Sequence, residues 1–215
     1  KTLIDKGVFE EYHYQTDRIQ FQDSEDGAST ELNTYQETAL EEIDGLFETQ
    51  NIVLLHGVTS SGKTEIYVKM IESILAQAKQ ALYLVPEIAL TSQLVQRLQK
   101  YFGNQIAVYH SRYSQNERLE VWNHVLNQSE NARVVIGARS SVFLPFSNLG
   151  LVIVDEEHEQ SYKQFDPSPR YHARDTAIVL AALFKAKTLL GSATPSLESF
   201  YNATKENKFG YVAIT

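Results

Sequence analysis

An eight-residue stretch constrains the fold of this chain more than any other feature of the sequence. Gly57-Val58-Thr59-Ser60-Ser61-Gly62-Lys63-Thr64 matches the phosphate-loop pattern G-x-x-x-x-G-K-[S/T] at every defined position. An apolar run of strand length, residues 52–56, precedes it, and apolar residues recur at helical spacing over residues 65–78. In a strand–loop–helix unit, the backbone N–H groups of the loop and the positive end of the helix point at one place. The stretch therefore predicts a phosphate-binding site, with an ordinary glycine-rich turn as the weaker alternative.

Two side chains of this loop have specific expected roles. Lys63 is expected to reach the β- and γ-phosphates of ATP, which makes it a candidate catalytic residue as well. The Thr64 hydroxyl is expected to ligate Mg²⁺. All eight residues of the loop are candidates for ATP binding.

The composition excludes some classes of protein. There is no cysteine, so disulfides and cysteine-based zinc sites are excluded within this chain, and a reducing compartment such as the cytoplasm is expected. No apolar run reaches membrane-span length and no signal peptide is recognisable, so we expect no membrane partner. The chain begins with Lys1 rather than Met, and we expect it to be part of a longer protein.

The charge is distributed unevenly. Residues 1–50 contain 13 acidic and 3 basic residues, whereas residues 51–215 contain 14 acidic and 16 basic residues. The net charge of −8 therefore comes from the start of the chain and not from the part that carries the phosphate loop. This distribution argues against DNA binding by a broadly basic surface, but not against a local groove.

Beyond the loop, strand-like and helix-like segments alternate. A helix is expected to run to about residue 47 with Asn33 or Thr34 as its cap. Further strands are expected at residues 81–85, 106–109, 133–136, 151–154 and 188–190, and further helices at 87–102, 114–128 and 171–185. In the segment 114–128, Trp122, Val125 and Leu126 are expected to face inward. The alternation predicts an α/β fold with a mostly parallel sheet flanked by helices, whose ligands collect at the carboxyl ends of the strands.

A second motif follows four apolar residues. Asp155-Glu156-Glu157-His158 has the form of a DEAH-type box at the end of a buried strand. Asp155 would hold Mg²⁺, directly or through water, and Glu156 would polarise the water that attacks the γ-phosphate, so both are candidate catalytic residues. His158 is placed to sense the γ-phosphate, and Glu157 has no obligatory role in this chemistry. A solvated charged turn is the alternative.

Taken together, these motifs resemble those of the PriA family of primosomal helicases in helicase superfamily 2. The resemblance covers about residues 32–201 and is carried by residues 55–59, 84–91, 110–111, 117–122, 137–140, 155–164, 171–175 and 191–196. The family usually has Gly where Ser60 stands, but Ser61-Gly62-Lys63-Thr64 is intact. The resemblance implies a RecA-like P-loop NTPase lobe at residues 32–215, an acidic linker at 23–31, and the tail of a winged-helix domain at 1–22.

The resemblance also implies roles for residues that spacing alone leaves unassigned. Gln36 would read adenine, whose N6 and N7 suit a glutamine amide, although a surface glutamine on a helix is an open alternative. Ser192 and Thr194, with His158, would couple the nucleotide and DNA sites through hydrogen bonds to the box acids, unless they form a plain turn. The implied DNA-binding residues are Thr91, His110, Arg139, Ser140, Tyr162, Lys163, Arg170, Tyr171 and Arg174.

The segment 162–171 interleaves aromatic and basic residues. Its composition suits stacking on unpaired bases combined with attraction to the phosphate backbone. A surface loop whose aromatic rings tuck under the edge of the sheet explains the composition equally well. The resemblance implies that this loop couples DNA occupancy to ATP hydrolysis.

At the level of function, the resemblance implies the ATP-binding lobe of an ATP-dependent 3′-to-5′ DNA helicase that unwinds forks for replication restart. The implied cofactors are ATP and Mg²⁺, with zinc only in another part of the full-length protein. The implied partners are single-stranded and forked DNA, a second helicase lobe, and primosome and single-strand-binding proteins. Without the second lobe, we expect the chain to be nearly inactive. The rivals are another superfamily 2 translocase, such as a RecG-like or restriction motor, and a nucleotide-dependent binding module.

Overall fold

A parallel sheet organises the part of the chain that the computed structural model describes, residues 31–58 and 61–214. Its seven strands lie in the order β3-β4-β2-β5-β6-β1-β7, and each pairs in parallel with its neighbours. The strands are β1 (Ile52–Gly57), β2 (Gln80–Leu84), β3 (Ile106–Tyr109), β4 (Val134–Gly137), β5 (Leu149–Asp155), β6 (Lys187–Ser192) and β7 (Gly210–Ile214).

Some expectations fall outside the described residues. The winged-helix tail at residues 1–22 and nearly all of the linker at 23–31 cannot be compared with the structure. The same holds for Thr59 and Ser60 of the phosphate loop. These assignments stay predictions.

Helices cover both faces of the sheet. They are α1 (Thr34–Phe47), α2 (Lys63–Ala76), α3 (Ser92–Phe102), α4 (Gln115–Leu126), α5 (Ala173–Phe184) and α6 (Leu197–Thr204). Alternate strand residues enter two separate cores: Val53 and Leu55 of β1 pack with α1, α2 and α3, whereas Leu54 packs with α4, α5 and α6. Burial on both faces explains why the strands are apolar runs rather than alternating patterns.

The two predicted helix starts with capping residues are confirmed. Asn33 caps α1, where its side chain accepts from the amide of Gln36 while the Gln36 side chain accepts from the Asn33 amide. Ser114 and Glu117 form the same reciprocal pair at the start of α4. Each pair satisfies two backbone donors that the first helical turn leaves unpaired.

The helix expected from residue 87 begins later. Residues 86–91 form a turn in which the amides of Ala89 and Leu90 donate to the carbonyl of Pro86. Thr91 then caps α3 by accepting from the amide of Leu94 at 3.2 Å. Helix α6 and strand β7 were not predicted from the sequence. Both follow the last motif, and β7 pairs with β1.

The expected inward face of α4 was wrong in part. Val121 and Val125 are buried, whereas Trp122 is 40% exposed and Leu126 is 48% exposed. The helix contains two overlapping apolar pairs at i, i+4 spacing, and the periodicity alone does not choose between them. The structure places the β-branched pair against the sheet and leaves the larger Trp–Leu pair at the surface.

The predicted convergence of motifs at one edge is confirmed, because all seven described strands run in the same direction. The phosphate loop, Asp155 and Ser192 follow β1, β5 and β6, which are neighbours in the sheet. The segments assigned to DNA binding follow β3, β4, β2 and β5, which are also neighbours. Strand β5 therefore stands between the two sets and contributes to both.

Candidate nucleotide and nucleic-acid site

A cleft of about 460 Å³ opens at the carboxyl ends of β1 and β5. Five predicted nucleotide-site residues and two of the three box acids line it: Gln36, Ser61, Gly62, Lys63, Thr64, Asp155 and Glu156. Three further lining residues, Asn33, Glu65 and Arg97, were not predicted. The structure thus brings the phosphate loop and the DEAH-type box together in one cleft.

Lys63 begins α2 and its side chain turns back into the loop. It is only 7% exposed, and its Nζ donates to the carbonyl of Gly57 at 2.8 Å and to that of Val58 at 3.4 Å. These two neutral carbonyls hold the ammonium at the mouth of the loop, beside the carboxylate of Asp155, whose pKa its charge lowers. A phosphate oxygen would be a stronger partner than either carbonyl because it carries charge.

Gly62 joins the loop to α2 in a left-handed conformation, with φ +84°. The Gln36 amide nitrogen donates to its carbonyl at 3.2 Å. A Cβ at this position would lie 2.0 Å from that amide nitrogen, so only glycine allows the approach. Both ends of the Gln36 amide are engaged within the chain, and its reading of adenine stays a prediction.

The chemistry of the cleft fits a nucleotide with Mg²⁺. No side chain among the described residues caps α2. The Glu65 amide donates to the Gly62 carbonyl at 3.2 Å, whereas the amides of Lys63 and Thr64 have no partner among the described residues and are open to an anion. Lys63 adds a positive charge at the same point, while Asp155 and the Thr64 hydroxyl supply the oxygen ligands that Mg²⁺ prefers. Lys63 and the α2 amides would hold the phosphates, and Thr64 and Asp155 would hold the metal.

Asp155 ends β5, and its half-buried carboxylate faces the cleft. Burial raises its pKa and the charge of Glu156 raises it further, whereas hydrogen bonds from Tyr67 and Tyr83 and the charge of Lys63 lower it. Burial and the nearby Asp155 also raise the pKa of both tyrosines well above their ordinary value. The two hydroxyls therefore stay protonated and donate to Asp155.

Glu156 adopts a backbone conformation that is unfavourable for its residue type. Its φ is +47°, in the left-handed region, and its amide donates to Oδ1 of Asp155 at 3.1 Å. Such a conformation costs on the order of 1–3 kcal/mol and is found mainly where function demands it. The turn aims the Glu156 carboxylate into the cleft, 3.7 Å from Nδ1 of His158.

The predicted coupling residues meet, although in a different pattern from the expected one. Nδ1 of His158 lies 2.7 Å from the Ser192 hydroxyl, and Nε2 lies 3.2 Å from the Thr194 hydroxyl. The sequence reading assigned these hydroxyls to the box acids, and that detail was wrong. The two hydroxyls contact both ring nitrogens of His158, which in turn faces Glu156.

Glu157, which has no expected role in the chemistry, anchors the box through its hydrogen bonds. It is fully buried and accepts from the amide and hydroxyl of Ser196, from the Ser199 hydroxyl at 2.8 Å, and from Arg174 at 3.0 Å. Although burial alone would lower the pKa of Arg174, hydrogen bonds to Glu198, Asp175 and Glu157 raise it. The cluster ties β5 to the first turns of α5 and α6.

Two predicted DNA contacts are contradicted by burial. Tyr162 is only 1% exposed, and its hydroxyl donates to the backbone carbonyls of Leu84 and Asp155, at 3.1 and 2.6 Å. Its ring belongs to the core and cannot stack on a base. The guanidinium of Arg174 forms ion pairs with three carboxylates, so it is not placed to bind a phosphate.

The aromatic and basic loop after Tyr162 is closed at its base. Lys163 and His172 form an antiparallel bridge, and the amide of Gln164 donates to the carbonyl of Tyr171 at 2.9 Å. Arg139 braces it by donating to the carbonyls of Ser161 and Lys163, at 3.4 and 3.1 Å. In the loop itself Phe165 is exposed. Stacking of its aromatic rings on unpaired bases, and packing of these rings under the edge of the sheet, both stay predictions.

The remaining predicted DNA-binding residues lie along the same edge of the sheet and differ in their exposure to solvent. Thr91, Ser140 and Arg170 are exposed, while Lys163 and Tyr171 are half-buried. His110 is half-buried beside Tyr113, with ring centroids 4.1 Å apart, and burial lowers its pKa. Nucleic-acid binding by these residues stays a prediction.

Tyr67 and Tyr83 are site residues that the sequence reading missed. Tyr67 lies one helical turn after Lys63 on the same face of α2, and that i, i+4 spacing could have indicated its position. Tyr83 lies in β2, where it counts as one more apolar strand residue. No pattern in the sequence signals that its hydroxyl reaches Asp155.

A comparison with protein families identifies the family of this chain. Residues 33–202 match the DEAD/DEAH box helicase family, which covers most of the chain. The chain belongs to the DEAD/DEAH box helicase family. Nucleotide use with Mg²⁺ is general in DEAD/DEAH box helicases, in agreement with the donors that line the cleft.

Individual relatives show which DEAD/DEAH box helicases this chain is similar to. The chain is 46% identical over 209 residues to the replication restart protein PriA of Bacillus subtilis (strain 168), which is 95% of this chain and 26% of that protein. It is also 46% identical over 216 residues to the PriA of Haemophilus influenzae, 98% of this chain and 29% of that protein. The resemblance to PriA noted from the motifs is confirmed, and the chain spans about a quarter of the length of these curated relatives.

Solved structures share the fold of this DEAD/DEAH box helicase chain. RecG bound to a three-way DNA junction superposes with a TM-score of 0.62 at 24% identity, covering 87% of this chain and 24% of that one. The helicase MrfA bound to DNA gives a TM-score of 0.60 at 19% identity, covering 85% of this chain and 27% of that one. The α/β class and the RecA-like arrangement of sheet and helices are thereby confirmed.

Proposed function

We propose that this chain is the first, ATP-binding lobe of an ATP-dependent 3′-to-5′ DNA helicase that unwinds forks for replication restart and primosome assembly in the cytoplasm. The observation that carries the proposal is the meeting of the phosphate loop with the Asp155-Glu156-Glu157-His158 box in one cleft. Identity of 44–50% to several proteins named replication restart protein PriA supports the restart role.

The chain's own residues divide the work of ATP hydrolysis. Lys63 and the first amides of α2 hold and orient the phosphates, and Asp155 and Thr64 hold the cation. Mg²⁺, when bound, neutralises charge on the phosphate oxygens. Glu156 polarises the attacking water, and His158 lies between that carboxylate and the hydroxyls of motif residues Ser192 and Thr194.

The sheet suggests how hydrolysis communicates with DNA. The box begins at the end of strand β5, and a short 3-10 helix, Gln160–Tyr162, connects it to the braced loop of residues 163–172. A strand of single-stranded DNA crossing the ends of β3, β4, β2 and β5 would meet that loop and the exposed Thr91, Ser140 and Arg170. Such contacts would be to phosphates and sugars, without reading of sequence.

A Lys63→Ala substitution tests the proposal in the complete protein that carries this sequence. Unwinding of a forked duplex and DNA-stimulated ATP hydrolysis should both be lost, while the protein still binds the fork. A Lys69→Ala variant, on the exposed side of the same helix, is the matched control and should unwind normally. Unwinding that survives Lys63→Ala would overturn the motor reading.

The polarity of unwinding tests the proposal against other superfamily 2 motors. Substrates with a single-stranded arm on only one strand should be unwound only when the motor can track 3′ to 5′. Preference for duplex translocation without strand separation would instead favour a restriction-type motor. Partners such as primosome and single-strand-binding proteins, and zinc elsewhere in the complete protein, belong to this proposal by relationship to PriA.

A further inference from the structure

Two buried tyrosine hydroxyls donate to the carboxylate of Asp155, one to each oxygen. The Tyr67 hydroxyl lies 3.0 Å from Oδ1, and the Tyr83 hydroxyl lies 3.1 Å from Oδ2. Both tyrosines are fully buried, and their rings pack edge to face with centroids 5.5 Å apart. They come from α2 and β2, so two different elements converge on one carboxylate.

The hydrogen bonds to Asp155 are distributed unequally between its oxygens. Oδ1 accepts from the Tyr67 hydroxyl and also from the amide of Glu156, at 3.1 Å. Oδ2 accepts only from the Tyr83 hydroxyl among the residues that the structure describes. Since a carboxylate oxygen has about two acceptor positions, Oδ1 is saturated and Oδ2 retains one position.

The neighbouring strand leaves room for this arrangement. Gly191 of β6 lies beside Asp155 in the parallel register. A Cβ at Gly191 would lie 1.8 Å from the Tyr67 hydroxyl oxygen and 3.4 Å from Oδ1. The Tyr67 hydroxyl therefore occupies the space that a side chain on β6 would take.

We propose that Tyr67 and Tyr83 are positioning residues that lock the Asp155 carboxylate so that Oδ2 is the oxygen offered to Mg²⁺. The inference rests on the proposed function, because it requires Asp155 to be a metal ligand. Partners that orient a ligand are commonly worth 10- to 100-fold in metal affinity, about the effect expected here. Neither tyrosine is among the residues that line the cleft.

Isosteric substitution separates positioning from packing. Tyr67→Phe and Tyr83→Phe retain the rings in the core and remove only the two hydroxyls. Tyr162→Phe is the matched control, because that hydroxyl is equally buried at the end of β5 but donates to backbone carbonyls instead of the carboxylate. General damage to the end of the strand would therefore also be seen in the control.

The test measures metal dependence rather than turnover. Binding of the fluorescent analogue mant-ADP to the full 215-residue chain is titrated with Mg²⁺, and repeated in EDTA. We expect each Tyr→Phe variant to raise the half-saturating Mg²⁺ concentration about 10-fold or more, with affinity in EDTA unchanged. Direct Mn²⁺ binding in the presence of ADP, followed by electron paramagnetic resonance, should weaken in parallel. Tyr162→Phe should behave as the unmodified chain.

The possible outcomes distinguish the inference from the proposed function. If the unmodified chain binds mant-ADP with no dependence on Mg²⁺, the metal role of Asp155 fails, and the proposed function fails with it. If the unmodified chain depends on Mg²⁺ but the Phe variants match it, only the positioning role is overturned. Equal losses with Mg²⁺ and in EDTA would assign the hydroxyls to folding alone, which also overturns it.

Discussion

Arg174 donates to the fully buried carboxylate of Glu157 at 3.0 Å, and this ion pair joins the DEAH-type box to the start of α5. Arg174 keeps Asp175 and Glu198 as partners if Glu157 is removed, whereas the buried Glu157 has no other cationic partner among the described residues. The pair is also close to the loop of residues 163–172, since Arg174 follows that loop directly. A residue that was assigned to DNA binding from the sequence thus holds the DEAH-type box in place.

Loss of the Arg174 cation should strongly destabilise the chain. In Arg174→Met, Glu157 keeps its donors from Ser196 and Ser199 but no longer has a balancing charge, so we expect a loss of about 3–5 kcal/mol in the free energy of unfolding. Urea denaturation measures it. Glu198→Gln removes an exposed partner of the same guanidinium and should cost less than about 1 kcal/mol. Similar stabilities for the two variants would contradict the anchor role.

Removal of the Ser192 hydroxyl should uncouple DNA binding from ATP hydrolysis. Ser192→Ala removes the bond to Nδ1 of His158 and the bond that the amide of Thr194 donates at 3.0 Å. In the complete protein that carries this sequence, we expect nucleotide affinity to be nearly unchanged, while stimulation of hydrolysis by DNA falls at least about 5-fold, as for a coupling of 1–3 kcal/mol. Thr194→Ser keeps the hydroxyl near Nε2 and serves as the control. An equal loss of basal and stimulated hydrolysis would place Ser192 in the chemical step instead.

Two glycine substitutions should have opposite effects. Gly62→Ala places a Cβ against the Gln36 amide at a backbone φ of +84°, so we expect a loss of about 1–2 kcal/mol and weaker mant-ADP binding. Gly45→Ala lies within α1 with nothing within 4 Å of the added carbon, and should raise stability by about 0.4–1 kcal/mol. Thermal melts and nucleotide titrations of both variants check the pair. A stabilised Gly62→Ala would contradict the close approach of Gln36.

The raised pKa of Asp155 predicts a pH-dependent cost of keeping this carboxylate ionised. A carboxyl with a raised folded pKa favours folding most at low pH, and that contribution is lost as the pH rises through the folded pKa. Without metal and nucleotide, Asp155→Asn should therefore be more stable than the unmodified chain at pH 7. The difference should narrow as the pH falls through about 4, where the unfolded carboxyl becomes protonated as well. Urea denaturation across this range, with Asp166→Asn in the exposed loop as the control, measures the difference. An Asp155→Asn chain that is less stable at pH 7 would contradict it.

The sequence predicted the parts of this structure that depend on local chemistry. The phosphate loop, the capping pairs at Asn33 and Ser114, and the strands before each motif follow from short patterns with a defined geometry. Because parallel strands bring their carboxyl ends to one edge, the meeting of Lys63 with Asp155 in one cleft also followed.

The errors came from contacts between elements that are distant in the sequence. The burial of Tyr162 is decided by backbone carbonyls of β2 and β5, and the burial of Arg174 by carboxylates on β5 and α6. Interleaved aromatic and basic residues indicate nucleic-acid binding by composition, but composition does not say which rings the core takes. Tyr83 shows the converse, because an ordinary strand residue donates its hydroxyl to the carboxylate of Asp155.

Matched Leu→Ala substitutions in α3 and α4 test which face of each helix is buried. Leu98 on α3 is 1% exposed within the core beneath the sheet, whereas Leu126 on α4 is about half exposed. We expect Leu98→Ala to lower the free energy of unfolding by about 2–5 kcal/mol, since it leaves a cavity among close-packed side chains.

Leu126→Ala removes the same atoms from a partly solvated site. It should cost less than about 1 kcal/mol, because surface substitutions away from special features have small effects. Urea denaturation of both variants under identical conditions gives the comparison. A cost for Leu126→Ala that matches Leu98→Ala would restore the inward face that the periodicity of residues 114–128 first suggested, with Trp122 and Leu126 against the sheet.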